Sequence, residues 1–315
     1  MTPAARGERN RMKIGLHDND NTGFPNLALM KLSAWHKAHG DDVELYIPLM
    51  GETYDRIYSS KVFTFTDETA ALPDEAVRGG TGYMIFDELS EEIDAMQPDY
   101  SLYPNYTVNI NKTKGNDQPT AIGLLTRGCI RNCEHCIVPR KEGGVKPYRS
   151  WDQVKRPDSN NILFLDNNVL ASDYGIEQID RMGGTGVRVD FNQGMDARLM
   201  TPQIAEKLAR IKWIRFIRVS CDHVNQISSI EQAAAYLREA GVHAELFCYV
   251  LVKSVPDALM VVEKLKSLAI KPFAQPFRPY VRDHIIPKEQ ARFANWVNKA
   301  ATNAACTWEE YQYRR

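Results

Sequence analysis

Short apolar runs alternate with amphipathic stretches along most of the chain. Near the start, "MKIGLHDND" reads as a strand that ends in polar residues. In "FPNLALMKLSAWHKAHG", Leu27, Met30, Leu32 and Ala34 recur at helical spacing. Pro25 suits the first turn and Gly40 suits the stop. "DVELYIP" and "YDRIYSSKVFTFT" predict further strands, and "GGTGYMIF" and "PDYSLYP" predict shorter ones. Strand, helix, strand with short connections predicts a parallel, doubly wound α/β sheet over residues 12–110. "NKTKGNDQPT", residues 111–120, is polar and turn-rich and reads as a linker.

The second half alternates more plainly. Strands are predicted in "AIGLLT", "NILFLDNN", "VRVDFNQG", "WIRFIRVSCD", "HAELFCYVLV" and "KPFAQPFRPY". Helices are predicted around 150–156 and in "DYGIEQIDRM", "TPQIAEKLARI", "SIEQAAAYLREAG", "VPDALMVVEKLKSLA" and "PKEQARFANWVNKAA". Thr201 and Ser229 suit helix N-caps, because a side-chain oxygen can accept from the first unpaired amides. Strands each followed by a helix predict a partial (β/α)6 TIM-type barrel over residues 121–285, with a C-terminal helix and tail over 286–315.

Composition changes this picture little: 43% hydrophobic and 25% charged residues suit a soluble protein with a sizeable core. No apolar run reaches the roughly 18 residues of a membrane span, and "MTPAARGERNRMKIGL" lacks the apolar segment of a secretion signal. A cytoplasmic location without membrane association is therefore expected. Residues 1–11 read as a disordered extension, with Met12 as an alternative start. Charge is uneven: residues 1–118 carry a net −8 and the rest +7. The two halves therefore invite different roles, although surface charge also varies this much by itself.

Chemistry concentrates in "GLLTRGCIRNCEHCIVPRKEGG", residues 123–144. Cys129, Cys133 and Cys136 follow the first predicted strand of the second half, and loops after strand C-termini build the active sites of β/α barrels. Three clustered thiolates can grip a soft metal centre. Zinc would want a fourth ligand, and His135, between two of the cysteines, cannot easily turn to the same ion. An iron–sulfur cubane on three cysteines leaves one iron open. Unliganded core cysteines are the plain alternative, and a disulfide would leave one thiol over. Cys221, Cys248 and Cys306 are far apart in sequence and read as buried small hydrophobes. The following loop carries Arg140, Lys141, Lys146, Arg149, Lys155 and Arg156, which would attract an anionic, phosphate-bearing substrate or simply be solvated.

C-x3-C-x2-C after the first strand of a β/α series resembles the radical SAM signature. The resemblance covers about residues 120–285. It implies a [4Fe–4S] cluster on Cys129, Cys133 and Cys136, with S-adenosylmethionine (SAM) chelating the open iron. It also implies reductive SAM cleavage to a 5′-deoxyadenosyl radical that abstracts hydrogen from a substrate, and a reducing partner such as flavodoxin or ferredoxin. His135 stands where the family usually has an aromatic residue. Asp166, Asn167 and Asn168 stand where it usually has a glycine-rich "GGE" for the SAM amino group, and a plain turn is the competing reading. Asn192, Arg218, Ser220 and Phe277 are the remaining implied SAM contacts. Arg218 would take the carboxylate, Ser220 the ribose and Phe277 the adenine. Gln193, Asp196, Arg198, Asp222, His223 and Arg278 are further polar groups at predicted strand ends.

A small flavodoxin-like domain ahead of such a barrel resembles cobalamin-binding radical SAM proteins. Their D-x-H-x-x-G loop appears here as Asp18, Asp20 and Gly23, with Asp20 at the histidine position and His17 out of register. A carboxylate is a poor substitute, so the expectation of cobalamin is weak. Methylthiotransferases share the two-domain plan but carry a second cluster on N-terminal cysteines; no cysteine precedes Cys129 here. The expectation from another class is a non-enzymatic zinc- or Fe–S-stabilised module that binds nucleic acid.

Overall fold

The computed structural model describes residues 11–47, 53–110, 114–280 and 284–313. The predicted extension at 1–11 therefore lies almost wholly outside the described residues. The chain is mixed α/β with parallel sheets and divides into two compact units, Met1–Tyr106 and Thr107–Arg315.

Unit 1 comprises β1 (Lys13–Asp18), α1 (Leu27–Ala38), β2 (Asp42–Leu45), β3 (Arg56–Ser60), β4 (Val77–Gly79) and a short α2 (Glu91–Asp94). Its sheet order is β2-β1-β3-β4, and every pairing is parallel. Helix α1 starts where the Asn26 side chain accepts from the Leu29 amide, and it ends before Gly40, whose φ of +85° favours glycine. Leu29, Met30 and Leu32 pack on Ile14 and Leu16; of the predicted face Met30 and Leu32 reach this core, Leu27 and Ala34 are only half-buried, and Leu29 takes part instead. Truncating one of these to alanine would cost about 2–5 kcal/mol.

Three expectations for unit 1 change. The "YDRIYSSKVFTFT" strand stops at Ser60; beyond it Phe63 and Phe65 stack at 5.1 Å and stay exposed. "GGTGYMIF" contributes only its first residue to β4. It then folds back so closely that a Cβ on Gly80 would meet the Lys61 carbonyl at 2.6 Å. "PDYSLYP" is not a strand but a single 3-10 turn, because the Asp99 carboxylate accepts from the Ser101 amide at 2.9 Å.

Unit 2 opens with a two-stranded antiparallel ribbon, β5 (Val108–Asn109) and β6 (Asp117–Gln118), of which only β6 falls in the predicted linker, so the boundary lies at 106/107 rather than at 111–120; residues 111–113 lie outside the described ones. The strands that follow are β7 (Ala121–Gly123), β8 (Thr126–Arg127), β9 (Lys146–Pro147), β10 (Asn161–Phe164), β11 (Arg188–Phe191), β12 (Lys212–Trp213), β13 (Phe216–Cys221), β14 (Glu245–Val252) and β15 (Lys271–Pro276). Helices α3 (Val138–Lys141), α4 (Trp151–Val154), α5 (Asp173–Met182), α6 (Pro202–Ala209), α7 (Ile227–Glu239), α8 (Val255–Ser267), α9 (Lys288–Asn298), α10 (Ala300–Ala305) and α11 (Trp308–Tyr313) alternate with them. Two parallel sheets result, β12-β11-β10-β7 and β13-β14-β15.

The helices follow their sequence signals at most ends. Thr201 caps α6 as expected. Ser229 does not cap α7: a 3-10 turn at Val224–Gln226 runs straight into the helix, which places Ser229 inside it. Gly123 admits α4, since a Cβ there would meet Val154 at 2.6 Å. Between the two sheets the backbone ladder is reduced to a single bridge, Met195 with Val219. A side-chain brace supplements it. Asp190 on β11 holds Arg218 on β13 through two bonds of 2.6 and 2.8 Å. Arg218 also donates to the Tyr249 hydroxyl, which donates to the Asn192 carbonyl. Among the described residues, no helix is long and apolar enough to cross a membrane.

Candidate functional site

The three clustered cysteines lie beyond the C-terminal end of β7, on a loop that closes on itself. Its base is the antiparallel pair β8–β9, and the Cys129 amide donates to the Gly143 carbonyl at 3.1 Å. Gly128 has φ +89°, and a Cβ there would lie 2.3 Å from the Gly144 carbonyl, so the crossing requires glycine. Cys133 and Cys136 form a tight turn, with the Cys136 amide donating to the Cys133 carbonyl at 3.0 Å.

Residues 166–168, at the end of β10, form the platform for this loop. Asp166 is buried and accepts from the amides of Leu125 and Thr126 and from the Thr126 hydroxyl. Burial raises its pKa to about 6, and these bonds partly offset that effect. Asn167 accepts from the Gly128 amide at 3.1 Å. The Asn168 side-chain NH2 lies 3.4 Å from the Cys129 sulfur, and its buried Oδ1 has no partner. The DNN stretch therefore bonds backbone about 40 residues away rather than locally, and its last residue lies against a cysteine sulfur.

All six cysteines are free thiols. Cys129, Cys133 and Cys136 are half-buried, whereas Cys221, Cys248 and Cys306 are buried. Burial pushes the Cys133 thiol up, and the Asp222 carboxylate and the Cys136 and Cys129 thiols add to this. Cys136 is raised first by burial and then by Cys129 and Asp222, so the three sulfurs lie within electrostatic range of one another. Among the described residues, no three His, Cys, Asp or Glu side chains are arranged to hold a single metal ion. One zinc at roughly 2.3 Å from each sulfur would need them in mutual contact.

His135 and Phe277 meet edge to face, with ring centroids 6.2 Å apart. Lys253, at the end of β14, lies over Phe277 and pairs with Glu134, which ties the cysteine loop to that strand. Arg218 and Ser220 share the half-buried face of β13 while Ile217 and Val219 are buried, as strand alternation predicts. The Arg218 guanidinium is, however, committed to Asp190. Asn192 offers its backbone carbonyl to Tyr249.

Sequence reasoning did not single out Asp190, Arg131, Glu134 or Lys253. It listed Asp196 only as a polar strand end, yet this carboxylate is a hub that holds Arg131 at 2.8 Å and Arg198 at 2.7 Å. Burial alone would raise its pKa, but bonds from Arg198 and Arg131 outweigh that and hold it below the usual carboxylate range. Apart from Asp196 with Arg198, two residues on, no local signal marks these partners, because the other pairings span distant segments. A cavity of about 390 Å3 opens beside Asp222, lined also by Cys221, His223, Leu251, Lys253 and Asp257. In the basic loop, Arg156 pairs with Asp158, whereas Arg140 and Lys146 are exposed.

At the corresponding edge of unit 1, Asp20 faces inward. Its Oδ2 accepts from the Val62 amide at 2.5 Å, and its Oδ1 is buried without a partner. His17 bonds Ser59 at 3.0 Å, and burial lowers its pKa. Neither residue is presented as an open ligand to a metal. The chain matches no known family model and no curated protein.

Proposed function

We propose that unit 2 is a radical SAM catalytic unit, with Cys129, Cys133 and Cys136 as ligands of a [4Fe–4S] cluster. In this reading β7, β10, β11, β13, β14 and β15 form a partial β/α barrel, and unit 1 is flavodoxin-like. One observation carries it: three half-buried thiols, in electrostatic range of one another, follow the C-terminal end of the first strand in a parallel β/α series. The donor type suits an iron–sulfur centre, because soft thiolates are its ligands, although among the described residues no three such side chains are already arranged around a single ion. When bound, such a cluster supplies one electron that cleaves the S–C bond of SAM and yields a 5′-deoxyadenosyl radical.

The chain's own residues would bind and orient SAM around that centre. The buried, unpartnered Oδ1 of Asn168 is an acceptor for an ammonium, since a buried acceptor left unpaired costs about 1–3 kcal/mol. His135 and Phe277 offer an aromatic wall against which adenine can pack. Ser220 is a half-buried hydroxyl for the ribose. Arg218 is the weakest of the expected contacts, because two bonds to Asp190 already occupy it. The cation-bearing loop with exposed Arg140 and Lys146 favours an anionic substrate, and a flavodoxin or ferredoxin would deliver the electron. Cobalamin is only weakly supported in unit 1, where one oxygen of Asp20 accepts from the Val62 amide and His17 bonds Ser59, and no step is assigned to it.

Anaerobic purification tests the proposal. The expected product is a brown protein with about four iron and four sulfide per chain, which releases 5′-deoxyadenosine when given dithionite and SAM. A colourless protein that holds one zinc, cleaves no SAM and binds nucleic acid would replace this reading with the non-enzymatic one.

A further inference from the structure

The three thiols are not equally solvated by the protein. Cys129 receives two N–H groups: the Asn168 side-chain amide at 3.4 Å and the Arg131 main-chain amide at 3.3 Å. No donor to the Cys133 sulfur occurs among the described residues. The two donors at Cys129 share one anchor. The Asp196 carboxylate accepts from the Arg131 guanidinium at 2.8 Å and lies 3.5 Å from the Asn168 NH2. Arg198 fixes that carboxylate with bonds of 2.7 and 3.0 Å. Asn168 is only 3% exposed, so water does not compete for its NH2. Three segments far apart in sequence thus converge on one sulfur, an arrangement that a loop support alone would not need.

We propose that Asn168, held by Asp196, is a positioning residue that acts with the Arg131 amide to raise the reduction potential of the cluster at Cys129. The inference rests on the cluster reading above. Reduction adds negative charge that is shared with the ligand sulfurs. A buried N–H aimed at one of them stabilises the reduced state more than the oxidised one. The outer groups around a centre tune it in this way without touching the reacting atoms.

The test is a redox titration of anaerobically reconstituted protein, followed by electron paramagnetic resonance with iron and sulfide counted in each sample. Asn168→Leu keeps the volume and removes the donor; Asn168→Ser retains a shorter O–H donor. Asn168→Leu should hold as much iron as the wild type but have a more negative midpoint. The ratio of reduced to oxidised cluster at the wild-type midpoint should fall roughly tenfold, which is about 59 mV for a one-electron couple. Asn168→Ser should shift in the same direction by less. An unchanged or more positive midpoint in Asn168→Leu overturns the proposal. If Asn168→Leu takes up no iron, the Asn168→Ser midpoint decides by the same criterion. If both variants keep the wild-type circular dichroism yet take up no iron, Asn168 merely supports the loop, and the proposal falls. Wild-type protein that binds no iron or sulfide would instead refute the cluster reading itself, before any variant is compared.

Discussion

The end of β1 in unit 1 and the end of β10 in unit 2 carry similar chemistry and use it oppositely. At the C-terminal edge of unit 1, Asp18 accepts from Tyr103, Asn19 bonds the backbone of Asp67 and Thr69, and Asp20 caps Val62. Asn26 bonds Ser60, and His17, Ser59 and Tyr83 form a chain. Nearly every polar group there is spent on another part of the same edge. At the edge of unit 2, Asp166 and Asn167 likewise cap backbone amides, but the loop they hold carries three thiols. One edge is closed by its own side chains; the other supports a loop with three half-buried thiols. A parallel sheet supplies the place for a site, and only the residues left over after capping decide whether a site is there.

The largest expected effect comes from removing those residues. Cys129→Ala, Cys133→Ala or Cys136→Ala should each abolish iron incorporation in reconstituted protein, while circular dichroism stays at the wild-type signal. Retention of full iron by any one variant would remove that cysteine from the ligand set.

The support of that loop also depends on the brace beneath it. Asp190→Ala leaves the buried Arg218 guanidinium without its carboxylate and should cost about 3–5 kcal/mol in a urea titration. The double variant Asp190→Leu/Arg218→Met should recover much of this, because the desolvation of both charges is then avoided. Failure to recover would show that Arg218 contributes through its stacking on Phe247 instead.

A smaller effect separates the platform by pH. Burial raises the Asp166 pKa from an ordinary 3.8 to about 6. The folded state therefore holds this proton more tightly than the unfolded chain between about pH 4 and pH 6. Stability from this group is full below pH 4, falls as pH rises through 6, and is level above that. Asp166→Asn should lose this segment of the profile and also cost about 2–3 kcal/mol at pH 7, where the ionised carboxylate serves three donors. Stability curves of the two proteins that run parallel from pH 4 to pH 7 would contradict the assignment.

The smallest effect is in unit 1. Asp20→Ala removes one cap on the Val62 amide and should cost about 1 kcal/mol. Wild-type protein mixed with hydroxocobalamin should lose it on gel filtration. Retention of the corrin would mean that this edge opens in a way its side-chain bonds do not show.

Periodicity alone located α1, β1, β13 and the order of strands and helices in unit 2, because each buries one face and the sequence alternates accordingly. The strand expected in "PDYSLYP" failed for a local reason, since Asp99 bonds the chain two residues on. Ser229 failed for a local reason too, since the turn just before it had already started the helix. That the three cysteines share one loop was legible from their positions in the sequence. Their spacing along the chain also bounds how far apart they can lie. The roles of Asp166 and Arg218 were not legible, because each depends on a partner more than 25 residues away.

The amino-acid order by itself therefore settled the α/β alternation and the concentration of thiols after one strand. These follow from short-range patterns of burial and from residue chemistry. Only the tertiary structure decided which carboxylates are spent as caps, that Arg218 is held by Asp190, and that Asn168 and Arg131 converge on one sulfur through Asp196. Such pairings arise when distant segments are brought together, and their energy depends on burial that no single segment possesses.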